Sequence, residues 1–424
     1  MPPSGEENRE WGANPQRTRH CNWGAFIKRP LVLREGYRCG ETESGDLPVK
    51  DHLDDGKVHG FLTVGFLIYT NMKWRVFILG TLLKTTLEKI TGLDQEAMNL
   101  ARERLDGLLK PPGSLGKLEE IAVRLAGIYG QPRPPLASKA IVMMAADNGV
   151  YQEGFNGYSQ EITKAVAELA GAGLIGVAVL ARHAGARLVV VDVGIKDEVE
   201  GQHIIKKKIR YGTDNITCGP AMSRSEAEQA IEVGIDVTNK LIHEGINIIG
   251  TGEVGICNTT TSAAVLAVLS GADPELVVGK GTGADEKAYQ AKLQAVKNAL
   301  VVNRPDPTDP IDVVAKVGGL DIAALTGCYL AAAANKKPVV IDGFIAGTAA
   351  LVAAKINPLV KEYMIPSHCS AEKGAQVVLQ ALNMEPMLYM NMRLGEGTGA
   401  ALAFNLIDAA VKIINEMGSF ADLA

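Results

Sequence analysis

The sequence predicts an α/β fold in which a mainly parallel sheet is covered by helices on both faces. Three observations favour this fold class. From residue 139 onward, short β-branched or apolar runs alternate with helix-length segments rich in alanine and leucine. Two amphipathic segments precede the first run, and glycine-rich loops follow several of the runs. This alternation is typical of βαβ units, in which a helix joins each strand to the next parallel strand.

The composition indicates a soluble globular protein of enzyme size. Of 424 residues, 47% are hydrophobic and 21% are charged, which allows a large core. The net charge of -5 makes nucleic acid and an anionic membrane surface poor partners. The six cysteines form no C-x-x-C pair and no zinc-spaced cluster with histidine. Neither a disulfide framework nor a structural metal site is therefore expected, and a reducing, cytoplasmic compartment fits best.

The first eighty residues differ from the rest of the chain. They hold all three tryptophans, and the α/β pattern begins only near Leu82. An apolar stretch at 60–71 is followed closely by basic residues and is too short to span a bilayer. We expect residues 1–81 to be a poorly ordered extension translated ahead of a start near Met72. A membrane-associated segment is the alternative.

Two helices are predicted before the first strand. Apolar residues recur at helical spacing over 93–109 and stop at the breaker cluster KPPGS at 110–114. A second amphipathic pattern covers 115–128. Helical structure therefore comes first along the chain.

Six later runs are predicted to be strands: AIVMMAA from 140, RLVVVDVG from 187, INIIGTG from 246, KPVVIDGF from 337, EYMIPSH from 362 and PMLYMNMR from 386. A helix is predicted near 225–243, because Ser223 and Glu226 form a capping-box pattern before it and Gly245 follows it. Open parallel sheets bind ligands beyond the carboxyl ends of their strands. The loops after these strands are therefore the candidate sites.

The loop after INII contains a formal dinucleotide-binding pattern. Gly250, Gly252 and Gly255 satisfy G-x-G-x-x-G, and Asp273 follows about 20 residues later. Glu253 stands inside that turn, where its charge would repel a pyrophosphate. A dinucleotide-binding module is therefore the rival interpretation of this chain and not the preferred one.

A single phosphate fits the same loop better. Asn258 and Thr259 can cap a helix whose free N–H groups bind one phosphate, and a plain capped helix is the structural alternative. Lys292 lies two turns into a helix that opens with the glycine-rich stretch at 279–283. It either contacts the phosphate or is a solvated surface lysine.

Other loop residues offer polar groups to a ligand. Asp147 at the end of the first strand, with Tyr158 and Gln160 before the next helix, can supply hydrogen bonds and an aromatic wall, although Tyr158 can also simply pack. Asp321 follows a glycine pair and either orients a ligand hydroxyl or caps a helix. Ser370 is either a phosphate donor or a cap.

The segment NMRLGEGTGAALA from 391 places one carboxylate in a loop shaped for access. Glycines at 395, 397 and 399 let the backbone adopt unusual conformations and let a ligand come close. Glu396 stands between two of them, shortly after Arg393 and before a helix-forming alanine run. This is the position expected of a catalytic base.

Nothing in the sequence requires a metal ion or a cofactor. It has no P-loop lysine motif, and RLVVVDVG offers only Asp192 where enzymes that use a pyrophosphate-activated ribose carry an adjacent acidic pair. His368 has no partners at hydrolase spacing and is expected to be a structural hydrogen bonder. The pattern favours one phosphate monoester and two carboxylates, Glu253 and Glu396, on separate loops.

Eight segments, in order along the chain, together resemble nicotinate-nucleotide:dimethylbenzimidazole phosphoribosyltransferases, which build the lower-ligand nucleotide of cobalamin. They are KPPGSLGKLE from 110, ADNGVYQEGFNGYSQEIT from 146, GEVGICNTTTSAA from 252, GKGTGADEKAYQAK from 279, VGGLDIAAL from 317, IDGFIAGTAAL from 341, SHCSAEKG from 367 and MRLGEGTGAALA from 392. The resemblance runs from about residue 82 to the C-terminus.

The resemblance implies a Rossmann-like α/β domain with a smaller helical domain made by both chain ends, usually in a homodimer. The implied division is a helical part at 82–138, an α/β phosphoribosyltransferase domain at 139–385, and a catalytic loop with a closing helix at 386–424. It also implies two substrates, nicotinate mononucleotide and 5,6-dimethylbenzimidazole, with α-ribazole 5'-phosphate and nicotinate as products. No cofactor and no nucleic acid or membrane partner follows from it.

The resemblance also implies roles for individual residues. Glu396 looks like the general base for the azole proton, and Glu253 like a second carboxylate near the base and ribose. The residues expected to hold the nucleotide are Gly255, Asn258, Thr259, Lys292, Asp321, Ser370, Arg393 and Gly395, and those expected near the acceptor base are Asp147, Tyr158 and Gln160. Asn148 and Ser159 depart from the histidine and proline of many family members, so adenine-like and phenolic acceptors stay open.

Overall fold

The structure is a computed structural model that describes residues 80–201, 203–281, 283 and 285–423. Nearly all of the expected extension at 1–81, including the expected start at Met72, lies outside these residues. Residues 80–87 are helical and form α1. The described residues belong to one compact unit, so the domain boundaries at 138 and 385 stay predictions.

Six parallel strands form a sheet in the order β3-β2-β1-β4-β5-β6. They are β1 Lys139–Ala146, β2 Ala186–Gly194, β3 Ile204–Lys206, β4 Ile248–Val254, β5 Val339–Ile341 and β6 Met364–Pro366. On β1, Met143 pairs with Val190 of β2 on one side and with Gly252 of β4 on the other. The strand order reverses between β1 and β4, where open sheets of this kind bind ligands. The predicted Rossmann-like α/β fold is confirmed.

Thirteen more α-helices follow α1 in the described part of the chain: α2 Gln95–Asp106, α3 Lys117–Tyr129, α4 Glu161–Gly171, α5 Gly176–His183, α6 Arg224–His243, α7 Asn258–Ser270, α8 Pro274–Val277, α9 Glu286–Asn303, α10 Pro310–Val317, α11 Leu320–Ala334, α12 Phe344–Ile356, α13 Ala375–Leu382 and α14 Thr398–Glu416. Short 3-10 helices occur at Gly149–Glu153, Pro358–Tyr363 and Phe420–Leu423. The capping box of α6 is present as predicted, with Ser223 and Glu226 bonded to each other's backbone.

Two hydrophobic clusters lie on opposite faces of the sheet. Along β1, Val142 and Met144 join one cluster, whereas Ile141 and Met143 join the other. Helices α6, α7, α11 and α12 contribute to the first, and α3, α5 and α14 to the second. Burial of an apolar side chain contributes about 1.5–3 kcal/mol. Burial on both faces explains why the strands read as continuous apolar runs.

Helices α6 and α11 cross at unusually short range. A Cβ atom on Gly234 of α6 would stand 1.8 Å from the carbonyl oxygen of Ala324, and one on Gly327 of α11 would stand 1.9 Å from that of Ile231. Glycine is therefore required at both positions, because any side chain would push the two helices apart.

Both ends of the described chain meet in the second cluster. Helices α2 and α3 pack against each other and against α14. The Leu109 N–H donates to the Gly418 carbonyl at 2.9 Å, and Arg104 donates to the Met417 carbonyl at 3.0 Å. This arrangement agrees with the expected helical part built from both chain ends.

One strand prediction was wrong, and one strand was missed. PMLYMNMR forms no strand beyond a single bridge between Leu388 and His368, because Tyr389 and Met390 are exposed and the run is not sandwiched between two layers. The edge strand β3 was missed, since Ile204–Lys206 is only three residues long and is followed by further lysines.

Two segments, Glu161–His183 and Thr398–Glu416, are long and apolar enough to pass for membrane spans. The second is α14, whose buried face belongs to the core beside the sheet. The first consists of two separate helices, α4 and α5, joined by a turn. Core packing therefore accounts for the apolar character of α14, while α4 and α5 keep exposed apolar residues.

Candidate active site

The loop before α14 has an unusual backbone. Gly395, Glu396 and Gly397 have consecutive positive φ angles of 80°, 65° and 99°. Glycine adopts such angles freely, but a glutamate does not, and the local strain is of the order of 1 kcal/mol. Strained non-glycine residues concentrate at functional sites, so this geometry makes Glu396 a candidate functional residue.

Strand β4 makes room for this loop. A Cβ atom on Gly252 would stand 2.3 Å from the Glu396 carbonyl oxygen, and one on Gly250 would stand 3.0 Å from Phe404 Cζ. Both glycines lie within β4 and not in a turn, and Asp273 caps α8 by accepting from the Glu275 N–H. The dinucleotide interpretation of G-x-G-x-x-G is therefore wrong, because these glycines serve the close approach of α14.

Glu253 is the penultimate residue of β4 and lies beside that loop. Its carboxylate is buried, and a Cβ atom on Gly395 would stand 2.5 Å from Glu253 Oε1. The Asn258 side-chain amide donates to Glu253 Oε2 and also, at 3.3 Å, to Asp321 Oδ2. Asn258 is the first residue of α7 and not its cap, while Asp321 lies inside the first turn of α11, whose N-cap is Gly319. One amide therefore links two buried carboxylates.

The carboxylates at this edge of the sheet hold their protons unusually tightly. Burial raises the pKa of Glu253 to about 8, and the charges of Asp321 and Asp342 act in the same direction. Burial likewise raises the pKa of Asp321 to about 7. Glu253 is therefore mainly protonated at neutral pH and can donate a hydrogen bond.

Glu396 is poised between its two protonation states near neutral pH. Burial raises its pKa to about 7, the charge of Asp342 adds to that shift, and a backbone hydrogen bond from Val177 of α5 opposes it. Glu396 Oε2 is buried without a hydrogen-bond partner among the described residues. A carboxylate with a pKa near the working pH and a free oxygen has the properties of a general base.

A cavity of about 810 Å³ opens at the start of α7 and runs beneath the loop before α9. Lys292 lines it and is 4% exposed. Its Nζ donates to Thr259 Oγ1 at 2.7 Å and has no carboxylate within 4 Å among the described residues. Burial lowers the pKa of Lys292 to about 8. The solvated surface interpretation of Lys292 is wrong, because this ammonium group is buried without a close counterion.

The start of α7 lies in the same cavity. No side chain caps this helix, and its N-cap residue Cys257 has a φ of 70°. The prediction that Asn258 and Thr259 cap α7 is wrong, because their side chains bind Glu253 and Lys292 instead. An uncapped helix start beside a buried ammonium group is suited to an anion.

Arg393 and Ser370, in the loops after β6, are not among the residues that line the cavity, but Arg393 reaches the lining residue Gly281. Arg393 Nη1 lies 3.4 Å from the Gly281 carbonyl oxygen, and a Cβ atom on Gly281 would stand 3.3 Å from Lys292 Nζ. Ser370 is buried and accepts from the Glu372 N–H at 3.3 Å. Because α13 begins only at Ala375, Ser370 caps a local turn and not that helix.

Of the residues expected near the acceptor base, only Tyr158 is among those that line the cavity. Tyr158 lines the cavity and is 47% exposed, so the packed interpretation of this ring is wrong. Gln160 donates to the Asn148 carbonyl at 3.3 Å. Asp147 is buried, accepts from the Lys196 N–H at 2.9 Å and is not among the residues that line the cavity. Gly255 touches the Ala146 carbonyl closely, which leaves no space for a side chain.

Sequence reasoning missed Asp342, which follows β5. Both of its oxygens accept backbone N–H groups at the start of α14, from Gly397, Gly399 and Ala400. The only signal was an acidic residue directly after KPVVI, the position that Asp147 occupies after the first strand. His368, expected to be structural, lies 3.0 Å from Ser367 Oγ through Nδ1.

Comparisons with known proteins agree with this architecture. A family model described as Phosphoribosyltransferase matches residues 90–424. The nicotinate-nucleotide--dimethylbenzimidazole phosphoribosyltransferase of Ruminiclostridium cellulolyticum is 54% identical over 336 residues, covering 79% of this chain and 96% of the relative. That of Alkaliphilus metalliredigens is 50% identical over 339 residues, covering 80% and 97%. The crystal structure of CobT from Thermus thermophilus superposes with a TM-score of 0.75 at 40% identity, covering 77% of this chain and 98% of that one.

These matches span nearly the whole of each relative, and the family model begins within the region where the resemblance was expected. The chain belongs to the nicotinate-nucleotide:dimethylbenzimidazole phosphoribosyltransferase family.

Proposed function

We propose that this chain transfers the 5-phosphoribosyl group of nicotinate mononucleotide to 5,6-dimethylbenzimidazole, giving α-ribazole 5'-phosphate and nicotinate for the lower ligand of cobalamin. The observation that carries the proposal is the meeting of Glu253 and Glu396 at one edge of the sheet. The buried ammonium group of Lys292 lines the adjoining cavity. Two carboxylates and one anion pocket are what phosphoribosyl transfer to an azole requires.

The phosphate of the donor occupies the Lys292 side of the cavity. Lys292 and the uncapped start of α7 supply positive potential, and Thr259 Oγ1 is already bonded to the ammonium group. Arg393 lies 3.4 Å from the carbonyl oxygen of Gly281, which lines the cavity, and we assign Arg393 and Ser370 as further donors to the phosphate. Bound phosphate then gives Lys292 the counterion that the described residues do not provide, so charge-assisted hydrogen bonds form without new desolvation of the lysine.

Chemistry takes place on the Glu396 side. One azole nitrogen attacks the anomeric carbon, the bond from that carbon to the nicotinate nitrogen breaks, and its electron pair neutralises the nicotinate ring. Attack makes the second azole nitrogen acidic, and Glu396 removes its proton as the new bond forms. Because the leaving ring is cationic, the enzyme mainly aligns the reactants and stabilises the charge on the ribose. Protonated Glu253 donates a hydrogen bond to the ribose side of the site.

Tyr158 and Gln160 lie on the acceptor side in this arrangement. The exposed ring of Tyr158 offers an aromatic face to a flat base. Asp147 affects the acceptor side only through the residues around it, because its carboxylate accepts from the Lys196 N–H in the loop after β2. An adenine-like or phenolic acceptor uses the same transfer chemistry, and the acceptor is therefore the part of the proposal that needs direct measurement.

Product analysis tests the proposal. The purified chain is incubated with nicotinate mononucleotide and a panel of benzimidazoles, purines and phenols, and the products are identified by mass. We expect free nicotinate and the ribosylated benzimidazole phosphate as the main product. Release of no nicotinate with any acceptor, together with a thermal shift by a dinucleotide and none by nicotinate mononucleotide, would overturn it.

We also propose that the enzyme is a cytoplasmic homodimer. Four large apolar side chains are more than 40% exposed on α4, on α5, in the turn between them and in the loop before Glu396: Leu169, Val179, Leu174 and Leu394. Leu394 reaches the start of α5, because a Cβ atom on Gly176 would stand 3.1 Å from its Cδ2. Exposed apolar surface of this kind favours association.

Light scattering after size exclusion tests the dimer. We expect a mass of two chains for the wild type and of one chain for Leu174→Glu. Leu276→Glu, at another exposed leucine on α8, is the control and should stay dimeric. A monomeric wild type at micromolar concentration would exclude the dimer.

A further inference from the structure

The start of α14 lacks the side-chain cap that helices usually have. Its N-cap is Gly397, which must be glycine because φ is +99° and a Cβ atom would stand 2.7 Å from Ile141 Cγ2. Serine, threonine, aspartate and asparagine normally cap a helix by accepting its first N–H groups, and glycine cannot do so. The geometry that frees the loop for Glu396 therefore leaves the helix start without a local acceptor.

Asp342 supplies the missing acceptor from a different element. It lies 55 residues before Gly397, directly after β5, and is 2% exposed. Its Oδ2 accepts from the Gly397 N–H at 3.0 Å, and its Oδ1 accepts from Gly399 at 2.7 Å and from Ala400 at 3.2 Å. Burial raises the pKa of this carboxyl group, whereas the charge of His368 and the three N–H donors act in the opposite direction and favour its ionised form.

The same bonds hold Glu396 in place. Gly397, which follows Glu396 directly, donates to Asp342, and the Thr398 N–H and hydroxyl both bond the Gly395 carbonyl, at 3.0 and 2.8 Å. Glu396 thus lies between two residues whose backbones are fixed. A residue at a φ of +65° keeps that conformation only when its surroundings enforce it.

We propose that Asp342 is a positioning residue for the transfer reaction: it caps α14 from the end of β5 and thereby fixes the strained loop that presents Glu396. The proposal rests on the proposed function, in which Glu396 is the base. Asp342 touches neither substrate in this account; it acts by holding the backbone of the Glu396 loop and through the effect of its charge on Glu396 and Glu253.

The charge of Asp342 provides a measurement that separates a positioning role for this residue from a purely structural one. Four titratable groups face Asp342: His368 after β6, Glu253 on β4, Tyr329 on α11 and Glu396 itself. After burial, the charge of Asp342 is the main cause that raises the pKa of Glu396. Since Glu396 must be ionised to accept a proton, loss of that charge moves the acid limb of the kcat profile to lower pH.

Two variants of the full chain test this. Asp342→Asn removes the charge and one acceptor oxygen, so we expect kcat to fall by roughly 100-fold, the KM for nicotinate mononucleotide to change less than about twofold, and the acid limb to move to lower pH. Asp342→Glu keeps the charge but displaces the loop, so kcat should fall while the acid limb stays. If the asparagine variant does not fold, the glutamate variant carries the test through its separation of kcat from KM.

Hydrogen exchange separates failure of this inference from failure of the proposed function. We expect the amides of Gly397, Gly399 and Ala400 to exchange faster in Asp342→Asn than in the wild type, whatever reaction the enzyme catalyses. The control is Asp94→Asn, which weakens the local cap of α2 far from the cavity. Unchanged exchange at the start of α14, or a fall in kcat equal to that of the control with no change in the pH profile, would overturn the proposal. A wild-type chain that forms no product would overturn the proposed function alone.

Discussion

The carboxylate of Glu253 lies against the α-carbon of Gly395, so closely that a methyl group there would stand 2.5 Å from Glu253 Oε1. Glu253 is the penultimate residue of a central strand and Gly395 precedes Glu396, so this contact joins the two carboxylate-bearing segments. Because Glu253 is 5% exposed, its carboxylate has little space in which to move aside.

Substitution of Gly395 by alanine should therefore harm activity more than stability. Strain at a φ of +80° costs about 1–2 kcal/mol of unfolding free energy, and displacement of Glu253 should lower kcat/KM by at least about tenfold. Gly113→Ala is the matched control, since its φ is +72° and nothing lies within 4 Å of the new Cβ. Equal activity in the two variants would mean that the Glu253–Gly395 contact does not contribute to activity.

Replacement of Glu396 by glutamine should remove the general base while keeping the size and shape of the side chain. General-base catalysis contributes about 10²- to 10⁴-fold, so kcat should fall within that range, while the dissociation constant for nicotinate mononucleotide changes little. In the wild type, kcat should fall as the pH drops through about 7, where Glu396 becomes protonated. Glu120→Gln, on exposed helix surface, serves as the control, and unaltered turnover in Glu396→Gln would discard the base assignment.

Glu253 should make the folded chain less stable as the pH rises. Its pKa is raised by folding from 4.5 to about 8, so the folded state binds more protons than the unfolded state between these values. Stability contributed by this group is therefore lost as the pH rises from about 4.5 towards about 8. Glu253→Gln should raise the melting temperature at pH 8.5 much more than at pH 5, and equal shifts at both pH values would contradict this account.

Lys292→Met should weaken the binding of nicotinate mononucleotide and raise the stability of the folded chain. The buried ammonium group lowers stability at neutral pH, because folding lowers its pKa from 10.5 to about 8 and its charge is poorly solvated. We expect a higher melting temperature and a dissociation constant for nicotinate mononucleotide raised by at least about tenfold. Lys297→Met, at a surface ion pair on the same helix, is the control. Calorimetric binding as tight as in the wild type would remove Lys292 from the phosphate site.

Gly327→Ala should act on folding alone. The added methyl group would stand 1.9 Å from the Ile231 carbonyl oxygen, so α6 and α11 must separate. Overpacking of this kind typically costs about 1–3 kcal/mol, measured as a shift in the urea midpoint, while kcat of the folded fraction stays near the wild-type value. Gly219→Ala, where nothing lies within 4 Å, should leave the midpoint almost unchanged.

The pattern of the chain was sufficient for the main architecture because parallel strands buried on both faces read as apolar runs. The β1 run and the capping box at Ser223 needed only local information, and both predictions are confirmed. The run at 386 was predicted to be a strand from its apolar composition. Composition alone does not show whether a segment is covered on both faces, and this prediction was therefore wrong. The edge strand β3 is too short to carry a pattern.

In the candidate site, too, some residues could be predicted from local sequence and others could not. Glu396 was recognisable because glycines on both sides of a single carboxylate are a local signal. Asp342 was not, since its partners lie more than fifty residues later and its role depends on where β5 ends relative to α14. Lys292 could equally have been a surface residue until the packing of α9 against α7 was known.

The cap that Asp342 provides has a consequence for assembly. The first N–H groups of α14 are bonded by a residue that follows β5, because the N-cap Gly397 has no side chain to accept them, so we expect this cap to form only when β5 is in place. A C-terminal fragment alone would begin its last long helix with frayed ends. The Glu396 loop should therefore be among the last parts of the chain to become rigid, so that the onset of activity during refolding would report completion of the sheet.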